Sequence, residues 1–295
     1  DIKMPTLYPN LSQEEKDTLY TDLIWAKWDE YKAKVPTDRH AEYIQEIQKE
    51  IDTVIVTKHA DYFLLDYHLV KNAVAKGGII TPSGRGSGVS FVTNKLLGFT
   101  KIDRVAASVK MYPERFMSAT RILESKSLAD LDLNLANPEV FFGVQKELLG
   151  ENCAFQMLAY GTMKTKSAWK MYARAKDVDP QIANDVSEQI EKYETALKHA
   201  DDEEKDSIDL MDYVDSKFQQ YIEDSQSYLG IVGQVSPHPC ASLIGNINIP
   251  EEIGLVLIKS TSGKKETICT LMDGKWAEEY KFLKNDLLKV SAIET

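Results

Sequence analysis

The segment Leu128-Ala129-Asp130-Leu131-Asp132-Leu133-Asn134-Leu135 alternates apolar and polar side chains, the period-two signature of a β-strand. Side chains at i, i+2 and i+4 of a strand share one face. Asp130, Asp132 and Asn134 are therefore expected to project together, with Leu128, Leu131, Leu133 and Leu135 mainly on the buried face. Two carboxylates held so close repel each other unless a cation lies between them, and hard oxygen donors favour Mg²⁺. Taken alone, the segment fits either a metal site or a half-buried strand with a solvated acidic face.

Upstream lies Gly84-Arg85-Gly86-Ser87-Gly88, in a turn-rich loop. It follows Ile79-Ile80, expected as a short strand, and precedes a stretch expected to be helical from Val89 to Leu97. Glycines let a backbone approach a phosphate closely, and N–H groups at a helix N-terminus bind anions. Ser87 adds a hydroxyl donor and Arg85 a charged fork. The loop is not a Walker A motif, since no G-K-[ST] follows, and it lacks the G-x-G-x-x-G spacing. A phosphate cradle and a D-x-D strand are the two halves of a nucleotidyl-transfer site.

Further out, Ser12 and Glu15 have the spacing of a capping box, and helical periodicity runs from residue 12 to 57 with a break at Pro36. A third helix starts near Ala60 and stops at Gly77-Gly78. Beyond the acidic strand, a helix is expected over Pro138 to Leu149, a strand over Ala154 to Tyr160, and helices over nearly all of 162–228. Ile247-Ile249, Gly254 to Ile258 and Thr267 to Leu271 look like strands of a mixed sheet. This layout predicts an α+β fold: a helical front, a mixed centre, a helical insertion and a β-rich return.

With 295 residues, 43 % apolar and 27 % charged, the chain has the composition of a soluble globular protein. That excludes a disordered chain, a collagen-like repeat and a disulfide scaffold. No stretch approaches the roughly 18 apolar residues of a membrane span, and Asp1-Ile2-Lys3-Met4 has no apolar signal core. Cys153, Cys240 and Cys269 are scattered, without a C-x-x-C pair, which suits a reducing cytoplasm. The net charge of −11 argues against nucleic-acid binding when averaged over the chain. Residues 85–126, however, hold eight basic against three acidic side chains, a local +5, while acid concentrates in Asp201-Asp202-Glu203-Glu204 and the following aspartates. The local sign is what a phosphate meets within a Debye length of about 8–10 Å.

These halves and their surroundings resemble the bacterial replicative DNA polymerase III alpha subunits, the C-family polymerases. Ala60-Asp61-Tyr62-Phe63-Leu64-Leu65 resembles the family's A-D-Y-F-L-I, Gly84 to Gly88 its G-R-G-S-G, and Glu114-Arg115-Phe116 its E-R-F. Leu128-Ala129-Asp130-Leu131-Asp132 resembles the catalytic strand M-P-D-h-D. Tyr160-Gly161-Thr162-Met163 with Lys166 is similar to F-G-T-M-x-x-K, Ser236-Pro237-His238-Pro239 to the I-H-P segment, and Leu283-Lys284-Asn285-Asp286-Leu287-Leu288 to L-K-h-D-F-L.

The resemblance implies a polymerase-beta-like nucleotidyltransferase palm, a mixed sheet with flanking helices, carrying an inserted helical thumb. Residues 1–58 would be a helical connecting segment, 59–159 and 236–295 the two parts of the palm, and 160–235 the thumb. Asp130, Asp132 and Asp286 fall on the three catalytic, metal-binding aspartates. Arg85, Gly86 and Ser87 fall on the triphosphate loop, and Arg115, Arg121 and Lys284 on basic positions lining that pocket. The implied activity is two-metal transfer of a nucleotidyl group from a dNTP to a primer 3′-hydroxyl, with two Mg²⁺ ions, for which Mn²⁺ can substitute. The implied partners are primer-template DNA, a dNTP, and a fingers region or second chain; no membrane is involved.

Ala129 replaces the usual proline, Asn134 a third aspartate found in many members, and Asn285 an apolar residue, which marks a divergent member. The chain is expected to be a fragment or one piece of a split polymerase, weakly active or inactive alone. Two other readings stay open: a non-catalytic DNA-binding or assembly module that retains the scaffold, and a different polymerase-beta-like nucleotidyltransferase. His59 and His68 are expected to be surface or packing residues, Trp25, Trp28 and Trp169 core or domain-contact residues, and His238 a structural or DNA-backbone-contacting residue. The run Asp201 to Asp215 is expected to be a solvated helix face.

Overall fold

A computed structural model describes residues 3–81, 87–109, 112–115, 118–125, 131, 133–259 and 265–290. In chain order the helices and strands are α1 (Gln13–Tyr31), α2 (His40–Val56), α3 (Ala60–Ala75), α4 (Val92–Leu97), α5 (Ala119–Ser125), β1 (Leu133–Leu135), α6 (Pro138–Leu149) and β2 (Ala154–Thr162). There follow α7 (Thr165–Ala175), α8 (Pro180–His199), α9 (Asp202–Lys205), α10 (Gln219–Ser225) and β3 (Val232–Ile244). The chain closes through α11 (Ile249–Glu252), β4 (Leu255–Lys259), β5 (Glu266–Thr270), α12 (Gly274–Glu279) and β6 (Leu283–Lys289).

Local chemistry accounts for the boundaries. The Ser12 hydroxyl accepts from the Glu15 N–H while the Glu15 carboxylate accepts from the Ser12 N–H, so two donors at the start of α1 are satisfied reciprocally. Gly77, at φ 87°, ends α3 in a conformation that side chains resist. Gly78 must also be small, because a Cβ there would sit 2.7 Å from the Ala73 carbonyl oxygen and 2.9 Å from the Phe141 ring.

The chain divides into two compact units, residues 1–159 with 237–295, and residues 160–236. In the first unit the described strands form a mixed sheet of order β1-β6-β3-β2-β5-β4. β1 pairs parallel with β6, and β6 pairs antiparallel with β3. Helices α1 to α3 pack Tyr20, Ile24, Ile47, Ile51, Leu65 and Leu69 into one core with Leu133, Leu135, Leu283 and Leu287. A smaller cluster joins Phe155 and Met157 to Ala241, Leu243, Ile249 and Ala277. The second unit has its own core of Trp169, Ala173, Val186, Ile190, Val214 and Ile222. Its nine basic and sixteen acidic residues give it a net charge of −7.

Several expectations need correction. The described part of the acidic strand is only Leu133–Leu135, and all three residues are buried, Asn134 included, so Asn134 does not stand on a solvated face. Neighbours on both faces explain this, because a strand covered on both sides loses its solvent-facing alternation. Ile80 makes an isolated antiparallel bridge to Leu135 rather than belonging to a strand. The stretch expected to be helical from Val89 is a 3₁₀ turn over Ser87–Ser90, then extended Phe91, then α4. Ile247-Ile249 is not a strand: Ile249 opens α11, with Pro250 in its first turn. The acidic run is not one helix face either. α9 ends at Lys205, and Asp209 and Asp215 accept from the N–H groups of Met211 and Lys217 to cap 3₁₀ turns.

Candidate active site

β6 carries Asp286 and presents two faces with different chemistry. Leu283, Asn285 and Leu287 are buried on one side, and Lys284 and Asp286 are half-buried on the other. Period-two alternation puts Lys284 beside Asp286, and their Nζ–Oδ2 distance is 3.1 Å. On β3, the residue in register with Asp286 is Ala241. On β1, Leu133 pairs with Leu287 and Asn134 with Leu288. In sequence Asp132 immediately precedes Leu133, just as Asp286 immediately precedes Leu287.

Of the residues singled out from sequence, Asp130, Asp132, Arg85 and Gly86 lie outside the described residues. Ser87 opens the 3₁₀ turn, Arg115 ends another over Pro113–Arg115, and Arg121 stands in α5; their side chains lie outside the described set. Asp286 and Lys284 are described in full and lie together.

A Cβ on Gly88 would meet the Leu131 Cδ1 at 2.9 Å, so the end of the glycine-rich loop lies against the residue between the two aspartates. The Asn94 side-chain amide donates to the Gly88 carbonyl at 2.9 Å and anchors that contact. The Leu131 N–H donates to the Tyr62 hydroxyl at 2.9 Å. Upstream of the loop, the Thr81 N–H donates to the Asn134 carbonyl, and the Ala136 N–H to the Ile79 carbonyl. Chain entering the loop and β1 are thereby fixed antiparallel. Buried Glu50 anchors α4 by accepting from the N–H groups of Val92 and Thr93 and from Arg104. Burial raises the Glu50 pKa, against the pull of Arg104.

Behind Asp286, the Asn285 amide donates to Asp66 Oδ1 at 3.0 Å in a buried setting. Burial pushes the Asp66 carboxyl up to about 7, against the lowering effect of that bond. The amide that replaces an apolar residue in the family pattern therefore has a partner inside the core. Beside Asp286, His238 and Cys240 lie on β3. The Cys240 Sγ is 3.7 Å from His238 Nδ1 and 4.0 Å from Asp286 Oδ1. Burial lowers the His238 pKa, while Asp286 raises it and Lys284 lowers it. Sequence reasoning assigned no role to Tyr62, Asp66 or Cys240. The i, i+2 spacing of His238 and Cys240 is a usable signal, but only once β3 is known to begin before Ile247.

Carboxylates are hard donors, and a half-buried Asp286 with Lys284 on one oxygen keeps the other facing the β3 side chains. The donor type fits Mg²⁺. His59 is buried and its pKa is lowered to about 4 by burial, while His68 meets the Tyr8 hydroxyl at 2.9 Å, so both are packing residues. Trp28 and Trp169 are core residues, and Trp25 packs against the larger core.

A family model for the bacterial DNA polymerase III alpha NTPase domain matches residues 21–289. Among curated relatives, the DNA polymerase III subunit alpha of Chlamydia pneumoniae is 27 % identical over 250 residues, covering 84 % of this chain and 19 % of the relative. That of Bacillus subtilis is 29 % identical over 151 residues, 50 % of this chain and 13 % of the relative. That of Campylobacter jejuni is 20 % identical over 298 aligned positions, 99 % of this chain and 24 % of the relative. The chain thus spans a quarter or less of the length of these relatives. Among the described residues, no helix is long and apolar enough to cross a membrane.

Proposed function

The chain belongs to the bacterial DNA polymerase III alpha family, and on that premise we propose that it forms the palm and thumb of a DNA-directed DNA polymerase, with residues 160–235 as the thumb. The reaction is nucleotidyl transfer from a dNTP to a primer 3′-hydroxyl. Asp130, Asp132 and Asp286 would hold two Mg²⁺ ions. When bound, these ions supply activation of the attacking oxygen and charge neutralisation at the leaving pyrophosphate.

The observation that carries this reading is the parallel pairing of β1 with β6 in the register Leu133 to Leu287. Neighbouring strands lie about 4.8 Å apart, and in-register residues share a face. That register supports a reading in which Asp132, the residue before Leu133, works together with Asp286, the residue before Leu287. The approach of Gly88 to Leu131 supports a role for the glycine-rich loop beside the aspartate segment. There the backbone N–H groups around Gly86 and Ser87 receive triphosphate oxygens, with Arg85, Arg115 and Arg121 adding charge. Lys284, on the Asp286 face, steadies the triphosphate and offsets carboxylate repulsion. Tyr62 and Asn94 act by holding backbone: Tyr62 the aspartate segment, Asn94 the loop.

Since most of each relative's length lies outside the matched region, the experiment reads ion and nucleotide binding rather than primer extension. Mn²⁺ titration followed by electron paramagnetic resonance is expected to find binding that dATP strengthens. Asp286→Asn and Asp132→Asn should each weaken it more than about tenfold with the thermal transition kept, a loss of at least 1.4 kcal/mol of binding. Unchanged Mn²⁺ affinity in Asp286→Asn would overturn the reading.

A further inference from the structure

We propose that His238, Cys240 and Asp286 form a second, thiophilic metal site that takes Zn²⁺ and shares Asp286 with the Mg²⁺ site. The ligand atoms of these three side chains lie within 4.8 Å of one another, and among the described residues they are the group with that property. Zn²⁺ bonds of about 2.3 Å to sulfur and 2.0–2.2 Å to nitrogen or oxygen, set tetrahedrally, put neighbouring ligand atoms roughly 3.3–3.6 Å apart. The observed 3.7 Å from sulfur to His238 Nδ1 and 4.0 Å from sulfur to Asp286 Oδ1 need only a small inward movement.

The donor types select the ion. A thiolate, an imidazole and one carboxylate oxygen suit Zn²⁺ and disfavour Mg²⁺, which prefers an oxygen shell. The second shell is built as well. Lys284 holds the other Asp286 oxygen at 3.1 Å and fixes the carboxylate plane. The Ala241 N–H donates to His238 Nδ1 at 2.9 Å and the Cys240 N–H at 3.3 Å, so the ring proton sits on Nε2 and the Nδ1 lone pair, at the edge of this cluster, is engaged by backbone donors. An ion must take that lone pair from the Ala241 N–H, which keeps the site weaker than a dedicated structural zinc centre. Binding releases the Cys240 thiol proton to solvent and forms a Zn–S bond, with water in the fourth position. β3 supplies two ligands and β6 the third, so the site joins adjacent strands of one sheet.

The consequence for catalysis rests on the reading above: Zn²⁺ on Asp286 withdraws that carboxylate from the Mg²⁺ pair and so inhibits. The binding chemistry itself does not depend on it. The test is Co²⁺ titration of the whole chain, with absorption read in the thiolate-to-cobalt charge-transfer region. The expected result is one equivalent of Co²⁺ giving that band, displaced by one equivalent of Zn²⁺. Cys240→Ala should abolish the band, and His238→Ala should weaken binding more than about tenfold, the scale of second-shell losses alone. Cys153→Ala, which removes another partly exposed thiol, should keep it. Circular dichroism checks that each variant is folded. No band in the parent chain, or a band that persists in Cys240→Ala, overturns the proposal. Mn²⁺ binding without a cobalt band sinks the zinc site and spares the Mg²⁺ reading. A cobalt band without Mn²⁺ binding supports the zinc site and sinks the Mg²⁺ reading.

Discussion

The two faces of β6 carry acidic chemistry in opposite ways. On one face Asp286 is half-buried and meets the Lys284 ammonium, so its charge is compensated. On the other, Asn285 reaches Asp66, a fully buried carboxyl that makes no ion pair among the described residues and whose pKa burial pushes up to about 7. One face sets a carboxylate beside an ammonium group. The other keeps a carboxyl largely neutral and uses it as a hydrogen-bonding core residue. The difference teaches that the strand's alternation, not the count of acids near it, decides which carboxylate meets a cation and which is buried in the core.

That contrast can be broken most severely by Asn285→Asp. It would set a second carboxylate against Asp66 in the core, and stability above pH 7 should fall by roughly 3–5 kcal/mol, with a much smaller loss at pH 5. Urea denaturation at the two pH values measures it; equal losses would contradict the buried pairing. The next effect is on pH dependence. The folded-state pKa of Asp66 lies above its ordinary value near 3.8, so its neutral form is favoured by folding. Its contribution is fully present below about pH 4 and is lost as the pH rises to about 7. Asp66→Asn should remove that slope and stabilise the protein at pH 8 by on the order of 2–4 kcal/mol. An unchanged slope would place the titration elsewhere.

Smaller effects sharpen the Asp286 side. Tyr62→Phe leaves the buried Leu131 N–H without its acceptor, a loss of roughly 1–3 kcal/mol. Because Leu131 sits between the two aspartates, Mn²⁺ affinity should fall with it; calorimetry alongside denaturation separates the two. Lys284→Ala should cost about 1–2 kcal/mol of stability, because it leaves a largely buried carboxylate without its charged partner. It should also weaken dATP binding, and nucleotide affinity unaffected by Lys284→Ala would remove that lysine from the triphosphate's surroundings.

Much of this was legible in the residues. The capping box at Ser12 and Glu15, the stop at Gly77-Gly78 and the helical periodicity of α1 to α3 are local signals, and the structure follows them. Asp286 stood out only through the family resemblance, and the strand that carries it, β6, runs beside β1. The burial of Asn134 was not legible, because it depends on what covers both faces of β1. Asn285 read as an odd polar substitution until Asp66, more than two hundred residues away, supplied its partner. Cys240 went unnoticed because β3 contains two prolines, which argue against a strand, and these hid the strand that sets it beside Asp286.

The most direct test of the central claim is anomalous diffraction from crystals of the chain soaked with Mn²⁺ and a dNTP. Two anomalous peaks among Asp130, Asp132 and Asp286, with the triphosphate against Gly84 to Gly88, are the predicted result. Density at Asp130 and Asp132 with Asp286 turned away, or no peak at all at saturating Mn²⁺, would contradict it.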